Sequence, residues 1–200
     1  MFNTSKKFTI GSRKSSLARR QVEIFKDFFF QNYKNLKKDF FKEIFLTTQG
    51  DQILDKKLLE LGNKGLFTKE IDQAQLEYKI DISIHSLKDL PYKLPKGLMI
   101  CAYLKREDYR DAIVSRNNLC LSKLNKGSII GTSSLRREIQ LKKVRPDLEI
   151  KLIRGNVETR IKKVLDGEYD ATLLAMAGLN RLGIKKNIRP LSLTQFIPAP

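Results

Sequence analysis

Two basic segments, each placed where an apolar β-branched run gives way to helical spacing, constrain this chain more than any other feature. They are Gly131-Thr132-Ser133-Ser134-Leu135-Arg136-Arg137 and Arg154-Gly155-Asn156-Val157-Glu158-Thr159-Arg160. A strand that runs straight into a helix leaves the first helical N–H groups unpaired at one point, and hydroxyl and guanidinium groups of the same segment join them there. The helix dipole adds partial positive charge, and guanidinium forks pair bidentately with carboxylates or phosphates. Such a point binds anions, and strand–helix units are what build it.

Strand and helix patterns alternate along the whole chain, which predicts an α/β architecture. Residues 8–10 read as a first strand. The spacing of Leu17, Gln21, Ile24, Phe25, Phe28 and Phe29 then marks a helix capped by Ser15 or Ser16. Residues 43–47 read as a second strand, and residues 68–79 as a helix with Ile71, Ala74 and Tyr78 on one face. Ile80, Ile82 and Ile84 alternate as a strand that ends at His85-Ser86-Leu87-Lys88-Asp89, before Pro91 and Pro95. The end of such a strand is where open α/β sheets place their chemistry. In the second half, strands are predicted at 128–130, 149–153 and 170–174, each leading into a helix. Ile10-Gly11-Ser12 followed by Ser15-Ser16-Leu17-Ala18-Arg19-Arg20 echoes Ile130-Gly131-Thr132-Ser133-Ser134-Leu135-Arg136-Arg137 with two residues removed, which points to two similar lobes.

Composition excludes several classes. At 200 residues with 41% hydrophobic and 30% charged residues, the chain can bury a core in one or two domains. Thirty-nine Lys and Arg against 22 Asp and Glu give +17, which favours an acidic partner. Lysines are spread along the whole chain, so the positions of arginines say more than the total. No aromatic residues interleave with the basic segments in a stacking pattern, and no helix-turn-helix or finger spacing occurs, so nucleic acid is not expected as partner. Two cysteines without CxxC spacing and one histidine cannot assemble a structural zinc site, so no metal is expected. A reducing, cytoplasmic setting fits that cysteine usage. The basic N-terminus has no apolar run after it, and Phe28-Phe29-Phe30 is far short of the ~20 residues that span a bilayer, so neither an export signal nor a membrane span is expected.

Seven ordered segments carry a more specific signal. They are Gly11-Ser12-Arg13-Lys14-Ser15-Ser16-Leu17-Ala18, Thr48-Gln49-Gly50-Asp51, Gly62-Asn63-Lys64-Gly65-Leu66-Phe67-Thr68-Lys69-Glu70, His85-Ser86-Leu87-Lys88-Asp89-Leu90-Pro91, Arg106-Glu107-Asp108-Tyr109-Arg110-Asp111-Ala112, and the two basic segments above. With them the chain resembles the porphobilinogen deaminase (hydroxymethylbilane synthase) family from its first strand to its last residue. The resemblance implies two similar α/β lobes with a periplasmic-binding-protein-like fold around a central cleft. The first lobe would take residues 1–104, with 196–200 either returning to it or fraying, and the second residues 105–195. It further implies stepwise condensation of four porphobilinogen molecules, with release of ammonia, onto a dipyrromethane cofactor in heme and porphyrin biosynthesis.

Site residues follow from the same resemblance. Asp89 is the expected catalytic carboxylate beside the pyrrole nitrogens, with Lys88 next to it. Taken alone, Lys-Asp-Leu-Pro would be read as a turn capped by aspartate. Arg13, Arg136, Arg137, Arg154 and Arg160 are the expected holders of acetate and propionate groups, with Ser15, Thr132, Ser133 and Ser134 as hydroxyl partners and Gly155 and Asn156 in the same loop. Lys64 lies in a glycine-rich turn that resembles the family's flap, and Glu60 stands where a lysine is frequent. The match stops at Ile197-Pro198-Ala199-Pro200, where the family continues into a third, cofactor-attachment domain, so a truncated chain or split gene is expected. Neither Cys101 nor Cys120 matches the family's cofactor cysteine. Cys101 is expected buried in a strand between lobes. The chain is expected to be a monomer, or to need a separate third-domain chain. A non-catalytic two-lobed binder of a polycarboxylate is the alternative.

Overall fold

A parallel strand needs both flanks paired to bury its backbone polar groups, and Phe8–Arg13 (β1) is flanked on both sides. In the computed structural model, which describes residues 7–53 and 65–199, β1 lies between Phe41–Leu46 (β2) and Ile82–Ser83 (β3), both parallel to it. The register sets Phe8 beside Phe41 and Arg13 beside Leu46. Ser16–Asn32 (α1) connects β1 to β2. Its N-cap is Ser15, whose hydroxyl accepts the Ala18 amide, a contact worth ~1 kcal/mol. Among the described residues, Gln49–Gln52 (α2) and Lys69–Leu76 (α3) are the other α-helices of this unit, which takes in residues 7–53 and 65–105.

The helical stripe differs by one residue from its predicted phase. Ala18 and Val22 are buried and Phe25 and Phe29 pack on the same core, whereas Phe28 is 56% exposed and Gln21 turns to Ser86. An aromatic cluster made by Phe8, Phe25, Phe29, Phe30, Phe40 and Phe41 decides the phase, because rings on β1 and β2 accept α1 in only one rotation. Tyr78 does not join the face of α3: it follows the helix end at φ 58°, in the left-handed position usual after a helix, and is 94% exposed. The apolar run 98–104 forms no strand, and Cys101 is exposed rather than buried. An apolar run becomes a strand only where an edge is open to pair with it, and none of the described strands pairs with this one.

The second unit, residues 106–199, has a five-stranded sheet. Asp111–Ser115 (β4), Ile129–Gly131 (β5), Glu149–Lys151 (β6), Ala171–Ala175 (β7) and Ile188–Pro190 (β8) are ordered β6-β5-β7-β4-β8. β5 is parallel to β6 and β7, and β4 is antiparallel to β7 and β8. All five residues of β4 are buried, as expected for a central strand covered on both faces. Side chains alternate accordingly. Ile113, Ile130, Leu173 and Phe196 pack with Leu141 of Leu135–Val144 (α4) on one face, and Ala112, Val114 and Leu174 pack with Val157–Leu165 (α5) and Met176–Arg181 (α6) on the other. The sequence echo coincides with the same winding, β1-α1-β2 with β3 on the far side of β1, and β5-α4-β6 with β7 on the far side of β5. The segment expected to return to the first lobe or to fray is placed differently. Phe196 is 2% exposed in the second unit's core, and the Ile197 amide donates to Gln140 of α4, because a ring that finds an apolar socket beside its own strand has no cause to leave it.

Candidate functional site

Because β1, β2 and β3 are parallel, their C-terminal ends share one edge, and this edge gathers the first unit's charged residues. Arg13 closes β1, Asp51 sits on α2, and Asp89 ends a short 3-10 turn, Leu87–Asp89, after β3. The Arg13 guanidinium forms a fork on Asp51, through Nε at 3.3 Å to Oδ2 and through Nη2 to Oδ1, while its Nη1 lies 3.8 Å from Asp89 Oδ2. The Phe67 ring covers the guanidinium at 4.3 Å. All three charged side chains are between 21% and 25% exposed. Gly50 makes the arrangement possible, because a side chain there would meet the Phe67 ring.

Arg13 pulls the pKa of both carboxylates down, yet their net shifts are opposite. Burial raises the pKa of Asp51, but hydrogen bonds from Arg13 and Thr48 outweigh it and hold the carboxylate below its usual range. Burial dominates at Asp89 and lifts its pKa, with Lys88 and Arg13 pulling back and the Asp51 charge adding to the rise. Asp89 is thus a carboxylate whose burial outweighs the pull of two nearby cations. His85, at the end of the same strand region, is pushed down to about 4 by burial and then by Arg13, so its imidazole is neutral at pH 7, and its Nε2 is buried with no hydrogen-bond partner among the described residues. Gln21 and Ser86 bond to each other at 3.0 Å across the same unit.

At the second unit, the C-terminal ends of β5, β6 and β7 and the start of the antiparallel β4 fall on one edge. Asp111 opens β4 there, 4% exposed, and pairs with both neighbours of α4's first turn, Arg137 Nη2 to Oδ1 at 2.7 Å and Arg136 Nη2 to Oδ2 at 2.8 Å. Burial raises the Asp111 pKa, but the bonds and charges of Arg137 and then Arg136 leave it lowered. Arg137 also donates to the Leu173 carbonyl at 2.9 Å and is 8% exposed, so this guanidinium props the sheet edge from within. Arg136 is more open, at 30% of its side chain. Arg154, 6% exposed, stands just before the turn into α5.

Several residues expected to touch a ligand also build these helix starts. Ser15 caps α1, Asn156 caps α5 by accepting the Thr159 amide at 2.8 Å, and Arg160 Nε donates to the Gly155 carbonyl at 2.8 Å. Gly155 sits at φ 114°, where a side chain would be strained and would also strike Thr159. Thr132 Oγ1 accepts the Ser134 amide at 3.2 Å, and Ser133 and Ser134 remain half-buried at the mouth of α4. Lys88 is exposed on the turn beside Asp89. Lys64 and Glu60 lie outside the described residues. Asp111 and Phe67 are site residues that spacing did not single out. An acid opening the fully apolar run Ala112-Ile113-Val114 was the available signal for the first, and nothing in the sequence marks Phe67 as Arg13's cover. Among the described residues, no group of three or more His, Cys, Asp or Glu is placed to hold a metal, and no helix is long and apolar enough to cross a membrane.

These are two α/β units, each carrying ion-paired arginine at the edge where its parallel strands end. A family model described as "Porphobilinogen deaminase, dipyromethane cofactor binding domain" matches residues 8–200, and the chain belongs to the porphobilinogen deaminase family. It is 49% identical over 180 residues to the porphobilinogen deaminase of Bacillus pumilus, covering 90% of this chain and 57% of that protein. It is 48% identical over 194 residues to that of Chromobacterium violaceum, covering 96% and 62%. The chain therefore spans about three fifths of the length of the curated relatives it matches. Among solved structures, an ABC transporter from Parabacteroides distasonis aligns with TM-score 0.49 and 14% identity over 93% of this chain and 58% of that one, a similarity too low to add to the assignment.

Proposed function

We propose that this chain carries out the chemistry of a hydroxymethylbilane synthase, a transferase that joins four porphobilinogen molecules into a linear tetrapyrrole and releases ammonia at each step. Asp89 carries the reading. A carboxylate that burial drives toward neutrality, and that shares its one arginine with Asp51, gains most when positive charge develops beside it. Loss of ammonia from the aminomethyl group of porphobilinogen develops such a charge on the pyrrole. Asp89 would stabilise that cation and take or return a proton at the pyrrole nitrogen. Neutral His85 adds no competing charge to this edge.

The second unit supplies anion recognition. Taken by itself, this edge would hold acetate and propionate groups through Arg136, Arg154, Ser133 and Ser134, while Asp111 and Arg137 keep the arginine frame in place. Donor chemistry of this kind fits a polycarboxylate primer. When bound, the primer supplies the pyrrole α-carbon onto which each new unit is joined. Cys120 follows the far end of β4 from Asp111 and takes no part in this edge.

The test supplies this chain with porphobilinogen and preformed dipyrromethane and measures released ammonia and linear tetrapyrrole. Turnover is expected, and Asp89→Asn should lower it by on the order of 10²-fold or more with an unchanged melting temperature. Ammonia release undiminished in that variant would remove Asp89 from the mechanism. Tight porphobilinogen binding without any ammonia release would replace an enzyme by a non-catalytic polycarboxylate binder.

A further inference from the structure

One glutamine on α4 holds both backbone groups of a single residue. Gln140 Oε1 accepts the Ile197 amide at 2.6 Å and its Nε2 lies 3.1 Å from the Ile197 carbonyl, as a neighbouring strand would pair them. Nε2 also reaches the Arg136 carbonyl, one turn earlier, at 3.2 Å. Beside it, Arg136 Nη1 donates to the same Ile197 carbonyl at 2.5 Å, while Nη2 pairs with Asp111 at 2.8 Å. Phe196, buried in the α4 core, fixes the backbone from the other side. The open arginine of this edge is therefore held at two nitrogens by two different parts of the unit, and one of those holds exists only while Ile197 stays in register.

We propose that Gln140 is a positioning residue for anion recognition: by pinning Ile197 it sets the second anchor of Arg136, so that the guanidinium meets a carboxylate in one orientation. The proposal rests on the reading that this edge binds carboxylates. A free arginine side chain loses much rotamer freedom when it grips a ligand, and an arginine already ordered by protein acceptors loses less. Of its five N–H donors, two are used by Asp111 and Ile197, and three remain to face a ligand from a fixed plane.

Two measurements on this chain decide the matter. Without ligand, the Arg136 guanidinium is followed by NMR at its Nη–H signals. Restricted motion and slow water exchange are expected in the wild type, and both should be lost in Gln140→Met. Gln140→Leu should behave alike, since it removes both the acceptor for the Ile197 amide and the donor to its carbonyl. A signal unchanged in both variants overturns the proposal. With uroporphyrin as an octacarboxylate probe, binding read by porphyrin fluorescence should weaken about two- to tenfold in each variant. No further weakening should appear when the same change is made in an Arg136→Met background. Full additivity of the two substitutions also overturns it. If the wild-type chain does not bind the porphyrin, the carboxylate-binding reading fails, and the NMR measurement alone settles whether Gln140 orders Arg136.

Discussion

The two units solve opposite problems with the same parts. At the first unit's edge one arginine, Arg13, lies between two carboxylates, Asp51 and Asp89; at the second unit's edge one carboxylate, Asp111, lies between two arginines, Arg136 and Arg137. In the first cluster burial outweighs the pull of Lys88 and Arg13 on Asp89, which favours a cation that forms beside it. The second has positive charge to spare and so favours an anion. Burial differs as well, since Asp111 is 3% exposed at its side chain whereas Asp51 and Asp89 keep about a quarter of theirs. Asp89 is reachable at its surface although burial dominates its pKa, whereas Asp111 is enclosed and holds geometry.

That contrast can be broken experimentally, starting with Asp111. Asp111→Ala leaves two guanidinium groups beside a buried edge without their counter-ion, and should cost about 3–5 kcal/mol of unfolding free energy by urea titration. A loss under 1 kcal/mol would show that the pair is not the frame of the second unit.

The histidine gives the next effect. A folded pKa of about 4 against an unfolded value near 6.5 means that the unfolded chain binds a proton in that interval and the folded chain does not. Its stabilising contribution is complete above the unfolded pKa and declines as pH falls through the interval, by up to about 1.4 kcal/mol per pH unit. Unfolding measured at several values between pH 7 and 4.5 should show that decline in the wild type and a flatter curve in His85→Gln. Parallel curves would place His85 in contact with water. Only one histidine exists in the chain, so its imidazole proton signal reports the same titration directly. The carboxylates also contribute toward the acidic end, with Asp89 acting against the histidine. Asp51 and Asp111, held below their usual range, lose their contribution as they protonate, while protonation of Asp89, whose pKa is raised, favours the fold.

The smallest effect is expected at Arg13. Arg13→Met in the wetter cluster should cost only ~1 kcal/mol or less, far below the Asp111 change. Its signature is a shift of the acidic limb of the activity profile toward higher pH, because Asp89 loses one of the charges that pull its pKa down. An unshifted limb would uncouple Arg13 from Asp89.

Much of this was legible in the residues. Strand–helix alternation, the basic helix starts, the Ser15 cap and the repeat of Ile-Gly-Ser/Thr before a helix all survive in three dimensions, because they depend on local spacing and on hydrogen bonds within a few residues. Legibility ends where a side chain has two possible employers. Arg137, Arg160, Asn156 and Thr132 sit in the segments that point to ligand binding, and each also bonds within its own unit, to Leu173, Gly155, Thr159 and Ser134. A motif specifies that such groups gather at a helix start, and it does not specify whether they build the loop or face outward from it. Phe28 and Cys101 failed for a different reason: periodicity assigns a face but not its phase, and an apolar run does not choose its own neighbour.

By itself the sequence determined the family, the alternation of strands and helices, and the guanidinium-bearing turns, since each is written in contiguous residues. Only the tertiary structure decided that Asp111, far from α4 along the chain, would become the counter-ion of two arginines, and that Asp89 would share Arg13 with Asp51. The reason is physical. Charge pairing and desolvation depend on distances through space, and parallel and antiparallel strand order sets those distances by bringing strand ends from remote parts of the chain to one edge.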